Sequence, residues 1–263
     1  MYHFNVEKVL LQRALRKTRS NNAFENFLSQ LELIEELYVD IEQNISSSKL
    51  VQQARKQAII SLVSALEVFF KDTLKNTYDS GAFENSELLH NIPKHFYLND
   101  IENILKHKVS VGELLASIFT FHSLRSINKV FSGLIGKSFF KQINNFEFEI
   151  EFGDNEKNHD DVKKTTILHE DYKVYQRMEE LYSLRPFITH DQPEKSMISE
   201  FQVQNFISTA NLFVFVTDNY LKDLIQNNLK KQAEAQKAAL EEEEEFIKEE
   251  KKNYHHHKNR PGL

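Results

Sequence analysis

Between Lys49 and Asn76 the chain spreads apolar residues so widely around a helical repeat that this segment has to be covered on most sides. Leu50, Ala54, Ala58, Leu62, Leu66 and Phe69 recur at three and four spacing, and Ile59, Val63, Phe70 and Leu74 widen the stripe. A helix of this kind is predicted to be central, with other helices packed around it. Composition points the same way. Six glycines and four prolines in 263 residues are too few for many strands joined by tight turns, and 21 phenylalanines without a tryptophan supply the core volume. The expected fold is mostly α, a helical bundle.

The remaining elements follow from the same periodicity. Amphipathic helices are predicted over 4–19 and 23–45, with Ser20-Asn21-Asn22 as the break and cap between them. Apolar positions at Val6, Val9, Leu10 and Leu15, then Phe24, Phe27, Leu31, Ile34, Leu37 and Ile41, define their buried faces. Shorter helices are expected over 98–106 and 112–131, and another over 169–184, where Pro186 marks a boundary because it lacks an amide proton. A long helix starts near Ser199 with Phe201, Phe206, Ala210, Phe213, Tyr220 and Leu224 as its seam. Phe146 to Phe152 alternates with period two and is the strand candidate, so at most one short strand or hairpin is expected. Beyond Leu229 the chain turns to Lys, Gln, Ala and Glu, a charged helix or tail in which Glu244 and Lys248 can pair at four spacing. Three regions result: an N-terminal helical extension (1–47), a helical domain (48–229) and a charged tail (230–263).

Several functions are excluded or disfavoured at this level. No cysteine occurs, which removes disulfides, thiolate nucleophiles and thiolate metal sites. The first nineteen residues build no signal-peptide apolar core, and the longest apolar run, Leu212 to Val216, is too short to span a bilayer, so a cytoplasmic protein away from membranes is expected. The net charge of −6 argues against broad binding to nucleic-acid backbones, although a local basic cleft stays compatible with it. From Lys230 onwards eight acids balance eight bases, so the acidity belongs to residues 1–229.

Motifs for cofactors and metals fall short. Gly133-Leu-Ile-Gly-Lys-Ser138 ends like a phosphate-binding loop but has Phe131 where the first glycine belongs, and it reads as a turn. His159-Asp160, with His122 and Asp191 as nominal companions, makes a weak metal dyad. His169-Glu170 has Lys173 where a zinc protease needs its second histidine, and the alternating acids Asp154 to Asp160 lack the glycine and terminal glutamate of a calcium loop. His255-His256-His257 is a poorly preorganised triplet. No metal and no cofactor is expected.

One segment carries chemistry. Arg185-Pro186-Phe187-Ile188-Thr189-His190 sets a permanent cation and a near-neutral acid/base five positions apart. Such pairs also arise by chance in a chain with this many arginines and histidines, so the weight falls on position, between two helical segments. Cleavage of RNA by its own 2′-hydroxyl needs a base for that proton, an acid for the departing 5′-oxygen and a cation on the phosphoryl oxygens. His190 suits either proton role, and Arg185 can hold phosphate through two parallel hydrogen bonds. One histidine cannot easily do both, whereas a two-fold dimer supplies a second His190 and Arg185. On an unbroken α-helix the two positions lie about 140° apart, so a break at Pro186 or pairing across a dimer is required. Without such a site, Arg185 is expected to pair with a carboxylate such as Glu180.

Taken together, the core segment Ala58 to Phe70, the segment Arg185 to Gln192 and the long helix after it resemble the HEPN superfamily over roughly residues 48–229. The likeness is greatest to stand-alone bacterial members, including the RiboL-PSP-type and related branches, where an Arg, four to six residues and a His form the motif. It implies a helical bundle that dimerises and acts as a metal-independent endoribonuclease in toxin-antitoxin or phage-defence systems. RNA is then the substrate, and a cognate antitoxin or defence-system protein a partner. Arg185 and His190 are the implied catalytic residues, and Glu67, an acid on the central helix, is the candidate for orienting His190. Members often carry a polar residue after the Arg, where this chain has Pro186. That difference keeps open an alternative, a catalytically inactive HEPN-like module that binds nucleotide, RNA or a protein partner.

Overall fold

The computed structural model describes residues 6–17, 19–83, 86, 88–89, 98–150, 163–165, 173–191 and 197–258, with the side chains of 6, 98–99, 148–150, 163–165, 190–191 and 249–258 outside that description. The architecture is mostly α. In chain order it comprises α1 (Val6–Arg16), α2 (Ala23–Asn44), α3 (Ser48–Asp79), α4 (Leu98–Lys106), α5 (Val111–Ile118), α6 (Leu124–Ile135), α7 (Phe139–Asn144), β1 (Phe148–Ile150), β2 (Lys163–Thr165), α8 (Lys173–Pro186) and α9 (Glu200–Lys258), and a π-helical segment (Phe187–Asp191) extends α8.

The broad stripe makes α3 the hub. Helices α2, α5, α6, α8 and α9 all pack against it. Ile59, Leu62, Val63, Leu66, Phe69, Phe70 and Leu74 are fully buried in one continuous core, joined by Phe27 and Leu31 of α2, Met178 and Leu181 of α8, and Phe206, Phe213 and Val214 of α9. Phe70 sits at the middle of an aromatic cluster, with ring centroids 5.0 Å from Phe69, 5.8 Å from Phe131, 5.9 Å from Phe121 and 6.0 Å from Phe213. Edge-on and tilted ring pairs of this kind add to plain area burial. The 1–47 segment takes part in this core through α2.

Helix starts are fixed by short polar side chains. Asn22 Oδ1 accepts from the amides of Phe24 and Glu25 at the head of α2, and Ser199 and Gln202 form a reciprocal capping box at the head of α9. Ser110 and Glu113 do the same for α5. Gly112, beside that cap, lets α5 approach α3 so closely that its amide donates to Asp79 Oδ1 at 2.9 Å.

Some expectations need correction. The predicted 112–131 helix is two helices, α5 and α6, because Ser123 caps a new start and Phe121, in the link, is buried. Phe201, assigned to the seam of the last helix, is 73% exposed, because Val203 and Phe206 carry the buried face there and Phe201 falls off it. Leu15, Leu37 and Leu50 also face solvent. The strand candidate is realised as β1, paired antiparallel with β2 in the register Phe148↔Thr165, Glu149↔Lys164, Ile150↔Lys163. Gly133 to Ser138 is a helix end and turn, with Gly136 at φ 70° capping α6. From Lys230 the chain continues as helix, largely exposed as far as Lys248, and Glu244 pairs with Lys248 at 3.8 Å. Among the described residues no helix is long and apolar enough to cross a membrane.

Candidate functional site

Arg185 stands in the last turn of α8, where a basic residue complements the carbonyl end of the helix dipole. Val174, Met178, Leu181 and Tyr182 anchor that helix in the core and leave Arg185 at the boundary with solvent. Its Nη1 donates to Glu67 Oε1 of α3 at 2.5 Å, with the two side chains 32% and 21% exposed. Glu180 was the carboxylate expected for Arg185; the ion pair instead joins Arg185 to Glu67, the residue named as a candidate for orienting His190. Glu67 is the single hydrogen-bond partner of the Arg185 side chain among the described residues.

Two neighbours complete the electrostatic setting. One turn earlier on α8, the Tyr182 phenol is buried and its hydroxyl has no hydrogen-bond partner among the described residues. Burial pushes its pKa far above the usual tyrosine value, the Glu67 charge acts in the same direction, and Arg185 opposes both. One turn after Glu67 on α3, Lys71 is half-buried, and desolvation lowers its pKa against the pull of Glu67. Neither residue was singled out from sequence. The signal for Lys71 was its place four residues after Glu67, and for Tyr182 its place three residues before Arg185.

The expected boundary falls at Pro186, the last residue of α8, but the coil does not stop there. The chain passes from α-type to π-type winding across it, and the Thr189 hydroxyl donates to the carbonyls of Arg185 at 3.0 Å and Pro186 at 3.3 Å. Proline supplies no amide and crowds the carbonyl one turn back, and a wider turn relieves both. In a π-type turn each N–H reaches back five residues, so a position five residues on returns toward the same face instead of lying far round the helix. The backbone of His190 occupies this turn, while its side chain lies outside the described residues. Further on, Gln52 of α3 exchanges two hydrogen bonds with the backbone of Ile198, and Arg55 adds a third to its carbonyl. The return into α9 is thereby tied to the hub.

Among the described residues no group of three or more metal-ligating side chains is assembled. The motifs at Asp154 to Asp160 and His169-Glu170 lie outside those residues, and His255 to His257 occupy the last turns of α9 with side chains likewise outside them. His122, the nominal companion, is exposed and shares a 2.9 Å hydrogen bond with Thr120.

No protein-family model matches this chain, and no curated protein or solved structure matches it.

Proposed function

We propose that this chain is a HEPN-like homodimeric endoribonuclease that needs no metal, acting in a toxin-antitoxin or phage-defence setting with a cognate antitoxin or defence-system protein as partner. The observation that carries the reading is Arg185 at the surface end of α8, followed directly by a π-type turn whose backbone includes His190. In the proposed reaction the 2′-oxygen attacks phosphorus and a new O2′–P bond forms as the P–O5′ bond breaks. One His190 takes the 2′-hydroxyl proton, and the second His190 of the dimer gives a proton to the leaving 5′-oxygen. Arg185 exchanges Glu67 for the phosphoryl oxygens and holds the charge that develops there.

The Glu67 ion pair also favours the second reading. A guanidinium already satisfied by a carboxylate fits a binding module without nuclease activity, which takes nucleotide, RNA or a protein partner at the same surface. Incubation with diverse RNAs in EDTA separates the two. The nuclease yields 2′,3′-cyclic phosphate ends, and Arg185→Ala and His190→Ala lose them. Wild type and both variants equally inert would leave the binding module.

A further inference from the structure

A second charged feature lies between α1, which packs on α5, and the C-terminal half of α3. A cavity of about 190 Å³, the volume of about six waters, opens between them. Arg13, Arg16, Lys17 and Lys75 line it together with Asp72 and Glu113, so cations exceed carboxylates by two in a chain whose net charge is negative. The two carboxylates are already occupied. Glu113 takes Arg13 and the Ser110 amide, and Asp72 takes Arg16 Nε at 2.8 Å and Arg19 at 3.5 Å. Lys75 reaches Asp79 at 3.3 Å. Two donors are left over. The Arg16 side chain is only 14% exposed, yet its Nη1 is buried with no hydrogen-bond partner among the described residues. The side chain of Lys17, exposed at the cavity, forms no ion pair with the described residues.

A buried guanidinium N–H with no acceptor is costly to leave unmet, and native structures satisfy such groups with a water, an ion or a ligand. An acceptor that also matches an excess of two positive charges is a dianion. We infer that this cavity binds a phosphate monoester group, the Arg16 side chain turning to present its unmet Nη1, which is closed off from solvent here, and Lys17 and Lys75 supplying charge at the mouth. A phosphate monoester carries nearly two negative charges near neutral pH and three acceptor oxygens, whereas a diester in a nucleic-acid backbone carries one charge and leaves a cation unmatched. The cavity is lined by neither Arg185 nor Glu67 and does not rest on the nuclease reading.

Calorimetry on the full chain in phosphate-free buffer tests this, with inorganic phosphate, a 5′-phosphorylated oligoribonucleotide and its 5′-hydroxyl counterpart as probes. Saturable 1:1 binding of inorganic phosphate is expected. Lys17→Gln weakens it about tenfold, the loss of one charge-assisted contact, and Arg16→Gln weakens it further. Lys17 is exposed and its substitution leaves the fold intact, so its arm decides even if Arg16→Gln unfolds by circular dichroism. Arg185→Ala binds phosphate as wild type does, which separates this site from the proposed nuclease. Binding of the 5′-phosphorylated oligonucleotide and not of the 5′-hydroxyl one assigns the group to an RNA or nucleotide end, and binding of phosphate alone assigns it to a free or small monoester. Absence of binding at millimolar phosphate, unchanged binding in Lys17→Gln, or equal binding of the two oligonucleotides overturns the proposal.

Discussion

Arg185 of α8 and Glu67 of α3, separated by 118 residues in the chain, meet through one hydrogen bond at the rim of the core. An ion pair this open to solvent contributes at most about 1 kcal/mol, because water screens both charges. It therefore acts less as a fold determinant than as a restraint on what Arg185 can hold. Glu67→Gln is expected to leave the denaturation midpoint nearly unchanged and to raise RNA affinity about three- to tenfold. Urea denaturation and filter binding at fixed salt read the two effects. A large loss of stability would show that the pair belongs to the fold instead.

Glu113 joins two helices, closing the α5 capping box through the Ser110 amide while pairing with Arg13 of α1. Burial raises its pKa, but the bond to Arg13, the Ser110 amide and nearby positive charge outweigh that and hold the carboxyl below the ordinary range. The folded-state value lies under the unfolded one, so its contribution is present above about pH 4.3 and is lost as pH falls through the lowered value. Glu113→Gln should cost about 1–3 kcal/mol at pH 7. In urea titrations at pH 7 and pH 3, the gap between wild type and variant is expected to shrink at the lower pH.

Gly112 marks the closest approach of α5 to α3. A methyl group there would meet Asp79 Oδ1 at 2.5 Å and the Lys75 carbonyl at 2.6 Å. The backbone carbonyl cannot swing aside, so Gly112→Ala is expected to destabilise by about 1–3 kcal/mol, measurable by urea denaturation. The equivalent change at Gly133, whose nearest neighbour is Leu88 Cδ1 at 3.4 Å, should be milder.

Phe70 touches aromatic rings from α3, α6, α9 and the α5–α6 link. Truncation to alanine removes the ring and leaves a cavity that four neighbours cannot jointly fill, at a cost of about 3–5 kcal/mol. The denaturant midpoint should fall with little change in slope.

Much of the fold was legible because helical periodicity is local. The central stripe marked α3 to within a few residues at each end, and Asn22 and Ser199 announced α2 and α9. The α5–α6 break was hidden because Phe121 keeps the apolar pattern running through the link, and the Ser123 cap is a weak signal on its own. β2 escaped for another reason: Lys163-Lys164-Thr165 has no apolar alternation, and its strand character comes from pairing with β1. At the candidate site Arg185 was visible from its chemistry. Its partner was not, since Glu67 is chosen by how α8 lies on α3, a tertiary relation that spacing along the chain does not encode. The π-type turn after Pro186 was likewise hidden, because proline's local preference is to stop a helix and packing of Ile188 into the core holds the coil together.

Helix α9 leaves the core near Leu229 and runs on to Lys258, a helical rod about 44 Å long whose side chains are largely exposed as far as Lys248. Such an appendage adds hydrodynamic drag out of proportion to its mass. A single chain will elute early from a sizing column and imitate a larger particle, so the dimer proposed for this protein has to be weighed by light scattering or sedimentation equilibrium, where shape drops out of the measurement.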